Sequence, residues 1–351
     1  MSDIIEDGDS YLIKNILSSH IDISSVFFIL KSEVSFQTMS HKGGEVPRLI
    51  SIQGHINNDD SYPVYRHPVD EFIQLTSFTP TVLLIKECLE QRFNQSLNHV
   101  LIQYYRNGYD YISEHSDKTL DILKGSNIYN VSFGASRYMT LRSKSLPLHT
   151  DEPLQQSTTD TTSDTTNTRI IHKVKSTNNS VFVLGWKTNQ RYLHGIKRDK
   201  RQVSEKSIDE LAYNSERISL TFRSIATYMH PSGVLYGQGA VLKSSPYVHP
   251  LPTNISSTSS SSSSSGKGDV EGETLKTGTI LDSKLPPIHT STAINLQTPA
   301  ITNNPDTNDN IVGENKRESE RKVLYEAFKE ENLRYDFDWD TCYGRGFDIL
   351  Y

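Results

Sequence analysis

His115-Ser116-Asp117, a lone His194 and the run Arg217-Ile218-Ser219-Leu220-Thr221-Phe222-Arg223 are the residues of this chain best suited to chemistry. On an extended segment, a His and an Asp two residues apart point to the same side of the backbone. A further His brought in from a distant strand completes a 2-His-1-carboxylate face. Such a face holds Fe(II) on three corners of an octahedron and leaves three for an organic co-substrate and O₂. Arg217 and Arg223 are separated by an even number of residues and so share one face of a strand. Two cations beside an open iron suit a ligand with two carboxylates, for which 2-oxoglutarate is the obvious candidate. Taken singly, His-x-Asp is a weak signal, and His194 alone reads equally well as a core histidine.

The elements that must position these groups read as strands. Alternating segments cover Val100–Tyr105, Ile128–Phe133, Tyr138–Arg142, Ser180–Leu184 and Ile218–Phe222. In the last of them Arg217, Ser219, Thr221 and Arg223 form a wholly polar face, and Ile218, Leu220 and Phe222 a wholly apolar one. This strand is expected to separate a hydrophobic core from a polar cavity. Gln103 and Tyr105 share a face by the same parity and could hydrogen-bond a carboxylate held by an arginine. Pro80 to Asn94, with Val82, Leu83, Ile85, Leu89 and Phe93, predicts a helix packed on one sheet. Many strands and few helices indicate a mainly β fold, a jelly roll (double-stranded β-helix) with buttressing helices.

Composition sets the limits. The 351 residues carry a net charge of −6 and only 35 % hydrophobic side chains. Cys88 and Cys342 are the only cysteines, so neither a disulfide framework nor a zinc site is expected, and a reducing compartment, nucleus or cytoplasm, fits. No run of about 18 apolar residues predicts a membrane span, and Val26–Leu30, between Asp22 and Lys31, does not read as a secretory signal. The charge is uneven: residues 47–243 hold 23 basic against 19 acidic side chains, whereas 1–46 hold 3 against 7 and 244–351 hold 10 against 16. Within the middle, residues 187–206 gather seven basic side chains against Asp199 and Glu205, which could contact phosphates; a solvated loop is the other reading.

Residues 1–46 read as an N-terminal extension and 47–243 as the core, with a flexible polar insertion at about 145–168. Residues 244–320, rich in Ser, Thr and Asn and with an unbroken serine run from Ser259 to Ser265, read as a disordered linker. Residues 321–351 regain aromatic content and are expected to dock back on the core.

The ordered set resembles the AlkB family of Fe(II)/2-oxoglutarate dioxygenases, on its nucleic-acid demethylase branch. The resemblance rests on Pro47-Arg48, Tyr105-Arg106-Asn107-Gly108, Ile112 to Asp117, Val131 to Arg137, Thr188-Asn189 before His194, and Arg217 to Arg223. Gly237-Gln238-Gly239 with Phe337-Asp338-Trp339-Asp340 is similar to a fungal subgroup.

The resemblance implies His115, Asp117 and His194 as iron ligands. It implies Arg217, with Tyr105 and Gln103, for the distal carboxylate of 2-oxoglutarate, and Arg223 for the carboxylate beside the keto group, with Ser219 and Thr221 on the same face. It further implies oxidative removal of an N-methyl group as formaldehyde, with nucleic acid as partner (DNA favoured over RNA), no membrane, and a monomer. Tyr62, Tyr65, Phe72 and Trp186 are candidates to stack on a substrate base. Three positions depart from the family pattern: Gln103 and Ser219, where Asn is usual, and Lys118-Thr119, where DNA-repair members carry acidic residues. Lys118 suits a cationic methylated base poorly. A protein or small-molecule hydroxylase is the second reading, and a non-catalytic binding module the third.

Overall fold

The computed structural model describes residues 9–17, 22–41, 44–68, 73–144, 169–247 and 307–350. The expected insertion at 145–168, most of the expected linker and Phe72 lie outside them.

The Arg217–Arg223 strand sits at the centre of the larger of two facing sheets. The order there is Tyr11–Lys14, Ser180–Leu184, Ile128–Gly134, Arg217–Arg223, His99–Tyr105, Leu49–Gly54 and Thr76–Ser77. All neighbours are antiparallel except the last pair. The smaller sheet runs Ile171–Ser176, Arg137–Ser143, Tyr192–Ile196 and Ile112–His115, antiparallel throughout. Two such sheets facing each other make the expected jelly roll.

All seven residues of the Arg217–Arg223 strand are buried, because each face meets a different layer. Ile218, Leu220 and Phe222 join Val131, Phe133 and Ile102 under two helices, Ile23–Glu33 and Pro80–Phe93. The second helix starts with Pro80, whose missing N–H costs nothing in the first turn. It ends at Asn94, which adopts a left-handed conformation with φ 50°. Between them Val82, Ile85 and Leu89 form its buried stripe. The first helix is capped by Asp22, which accepts from Ser24 N at 3.1 Å, and buries Val26, Phe27 and Leu30. A second core, with Leu12, Ile128, Met139, Leu141, Phe182 and Leu184, fills the space between the sheets.

The C-terminal residues form a third layer. A helix spans Thr307–Leu333, so residues 307–320, expected to lack structure, are helical. Their Glu, Lys and Arg side chains favour helix without apolar content, with Glu318 and Lys322 one turn apart at 3.7 Å. Further along, Leu324, Ala327 and Phe328 cluster with Leu120, Phe337, Trp339, Tyr343 and Phe347.

The tail is fastened by polar contacts. Trp339 Nε1 donates to Thr119 O at 3.0 Å, and Phe347 N to Gly239 O at 2.9 Å. Arg66, paired with Asp121 at 2.6 Å, also donates to the carbonyls of Phe347, Ile349 and Gly239. Gly239 is required there, since a Cβ would lie 2.4 Å from Asp121 Oδ1. Gln238 Nε2 reaches the carbonyls of Leu120 and Ile122 at 3.1 and 2.7 Å. The Gly237–Gly239 and Phe337–Asp340 motifs therefore grip one and the same loop, the one that follows Asp117.

Candidate active site

His115 ends its strand directly opposite His194 on the Tyr192–Ile196 strand, and their ring centres lie 4.5 Å apart. Gly195 allows the close approach: a Cβ there would meet Ile112 O at 2.9 Å. Asp117 follows two residues later, with Oδ1 3.8 Å from His115 Nε2. One ligating atom each from His115, Asp117 and His194 falls within 4.8 Å of the others. The three positions singled out in the sequence are thus brought together.

Each group is held in the protonation state a metal needs. His115 Nδ1 sits 2.8 Å from Ser113 O, so Nδ1 carries the proton and Nε2 keeps its lone pair. About a third of the His115 side chain (31 %) is open to the cavity. Even so, the surrounding protein, and then His194, push its pKa down to about 3. Burial likewise lowers His194. Burial alone would raise Asp117, but the Arg223 guanidinium, ahead of the two histidines, holds it well below the usual carboxylate range. Two neutral imidazoles and one ionised carboxylate fit Fe(II).

The cavity beside this triad measures about 280 Å³, and Gln103, Tyr105, Asn130, Ser219, Thr221 and Arg223 form part of its wall. Sheet register explains the grouping: Ser219 pairs with Gln103 and Ser132, and Thr221 with Leu101 and Asn130. With its amide oriented to satisfy both ends, Gln103 accepts from Arg48 Nε at 2.9 Å and donates to Tyr105 Oη at 3.2 Å. That leaves the Tyr105 proton for an acceptor in the cavity. Asn130 Nδ2 donates to Thr221 Oγ1 at 3.0 Å.

Arg217 is fully buried and is not part of the cavity wall; its guanidinium carbon lies 5.2 Å from the centre of the Tyr105 ring. Nη2 donates to Ser132 Oγ at 2.7 Å, while Nε and Nη1 have no partner. Burial lowers its pKa to about 10, so it remains a cation at neutral pH. A buried guanidinium with unsatisfied donors fits a carboxylate, as 2-oxoglutarate would bring.

Arg223 has a partner that strand parity did not foresee. Its Nε and Nη2 both donate to Asp117 Oδ2, and its guanidinium lies 4.2 Å from the Tyr65 ring centre. Only Nη1 is unpartnered. Among the stacking candidates, Tyr65 lines the cavity, with its hydroxyl accepting from Lys118 N at 3.0 Å. Trp186 packs into the apolar layers and Tyr62 against Val64 and Met229.

Several lining residues had no role assigned from sequence. Arg48 faces the cavity and donates to Tyr111 O at 3.1 Å. Asn332, from the last turn of the C-terminal helix, lines the same cavity. Its Oδ1 accepts from Ser116 N, Ser116 Oγ and Lys118 Nζ at 3.1, 3.0 and 2.6 Å. Glu331 accepts from Thr119 N and Oγ1 at 2.9 and 2.5 Å, and from Tyr343 Oη at 2.7 Å. Lys144 donates to Glu331 O near the end of that helix. The basic stretch 187–206 is partly self-neutralised: Arg201 pairs with Asp199 and Glu210, and Lys206 with Asp199.

Residues 9–223 match the 2OG-Fe(II) oxygenase superfamily. The chain belongs to that superfamily, and AlkB-type proteins are among those it is similar to. It is 26 % identical over 147 residues to the DNA oxidative demethylase ALKBH2 of Bos taurus, covering 42 % of this chain and 44 % of that protein. The Homo sapiens protein of the same name matches equally, with 46 % of its length covered. The chain thus spans about half the length of these relatives. The solved structure of OsALKBH1 aligns over 62 % of this chain and 98 % of its own, at 15 % identity and a TM-score of 0.39. Superfamily membership and the His115, Asp117 and His194 set fit Fe(II) and 2-oxoglutarate as metal and co-substrate.

Proposed function

We propose that this oxygenase removes alkyl groups from ring nitrogens of nucleic-acid bases, DNA favoured over RNA, as a monomer in the nucleus or cytoplasm. The observation that carries the reading is the likeness to DNA oxidative demethylases, in a chain whose His115, Asp117 and His194 converge on one cavity. Among the described residues no helix is long and apolar enough to cross a membrane.

When bound, Fe(II) and 2-oxoglutarate supply an oxidant for a C–H bond, with one atom of O₂ leaving in succinate alongside CO₂. The protein's side chains do the rest. Ser113 O fixes the tautomer of His115, and Arg223 keeps Asp117 ionised. Arg217 and the Tyr105 hydroxyl would take the distal carboxylate, and the apolar layers on both sides exclude water. The N-methyl carbon gains the other oxygen atom as a hydroxyl group. The resulting N–CH₂OH loses formaldehyde, and a proton returns to the ring nitrogen. A base must leave its stack to reach the site.

The test is formaldehyde release from a panel of alkylated oligonucleotides with Fe(II) and 2-oxoglutarate. Succinate formation with no formaldehyde from any oligonucleotide would instead favour a protein or small-molecule substrate.

A further inference from the structure

Resting on the base-dealkylase reading, we propose that the C-terminal helix completes the substrate side of the cavity. Asn332, with Lys118 and Arg48, selects an N-alkylated base that carries no positive charge and offers ring carbonyl oxygens. Asn332 lies far outside the residues that match the superfamily, yet it lines the cavity together with the triad. Three donors converge on its Oδ1, which fixes which end of the amide is oxygen. The other polar end, Nδ2, has no partner among the described residues and is a donor.

The neighbouring Glu331 pins this helix end to Thr119 and Tyr343 but does not line the cavity. Its Oε2 is 3.9 Å from Lys118 Nζ, so it holds that lysine from behind. The donors left for a substrate here are the Asn332 amide NH₂ and the remaining protons of the Lys118 ammonium; the Arg48 guanidinium, committed to Gln103 and to Tyr111 O, adds a second positive charge. Among the described residues, the cavity wall carries one carboxylate, Asp117, and it is engaged by Arg223.

A base alkylated at adenine N1 or cytosine N3 is a cation and would face these charges with no free carboxylate among the described lining residues to receive it. A base alkylated at guanine N1 or thymine N3 is neutral and presents carbonyl oxygens to the donors. Repulsion of the wrong partner and hydrogen bonding of the right one act in the same direction.

The full-length protein with Fe(II) and 2-oxoglutarate is assayed on single-stranded oligonucleotides containing 1-methylguanine, 3-methylthymine, 1-methyladenine or 3-methylcytosine. Formaldehyde release should favour the first two by about tenfold or more in kcat/KM. Equal rates, or a preference for the cationic pair, overturn the selection while leaving the dealkylase reading intact. Succinate production with no formaldehyde from all four overturns both. Asn332→Asp replaces the donor with a carboxylate and should lower the neutral-to-cationic ratio about tenfold, mainly through KM. Asn332→Ala, checked for an unchanged melting transition, should lower it less; an unaltered ratio in both variants removes Asn332 from the substrate site.

Discussion

Arg223 places two nitrogens on a single oxygen of Asp117, Oδ2, at 3.1 and 2.9 Å, while Oδ1 faces His115. The contact splits the carboxylate between a clamp and a coordinating atom. Arg223→Met should therefore weaken Fe(II) binding by about 10–100-fold, as loss of an outer-shell partner does. Calorimetric titration with Fe(II) under anaerobic conditions measures it; unchanged affinity would mean that Arg223 acts on the co-substrate instead.

His115→Ala is expected to abolish succinate formation and leave the fold intact. The substitution removes a ligand at the cavity wall rather than volume from the packed core. A circular dichroism melt matching wild type, beside a null turnover assay, is the expected pair of results.

Arg217→Met should stabilise the protein while crippling it. The wild-type guanidinium is buried with two nitrogens unpaired, and an apolar replacement of a poorly compensated buried charge is commonly neutral or better by about 1–4 kcal/mol. The melting temperature should rise by about 2–4 °C for each kcal/mol gained. KM for 2-oxoglutarate should rise by about 100-fold with loss of the ionic contact. A fall in both melting temperature and KM would contradict the assignment.

Lys144 makes the attachment of the C-terminal helix pH-dependent. Burial lowers its ammonium from 10.5 to about 7. Between those two values the unfolded chain binds more protons at this site than the folded one, so stability rises with pH. The cost is absent above about pH 10.5 and fully developed below about 7. Denaturant midpoints measured from pH 7 to 9.5 should increase for wild type, and the increase should shrink in Lys144→Met.

The fold was legible wherever a strand has two different faces. Arg217 to Arg223 alternates without exception because one side meets the helices and the other the cavity. The His115–Asp117 spacing and a distant histidine were readable for the same reason: local parity sets direction. Contacts that arise only when remote segments dock left no such trace. Asn332 and Glu331 sit in a Glu- and Lys-rich helix whose buried face, among the described residues, comprises Leu324, Ala327, Phe328 and Glu331. Nothing in that pattern names Ser116, Lys118 and Thr119 as partners. The Arg223–Asp117 clamp was hidden likewise, since parity puts both groups in the cavity without saying which meets which.

The placement of Asn332 bears on the order of biosynthesis. His115, Asp117, His194 and both strand arginines leave the ribosome long before the helix that flanks them, with residues 248–306 still to follow. A nascent chain halted or cut in that interval would carry a complete metal triad and a cavity lacking one wall. Substrate choice would then be acquired last, when the segment from Leu324 to Phe347 closes over the loop that follows Asp117.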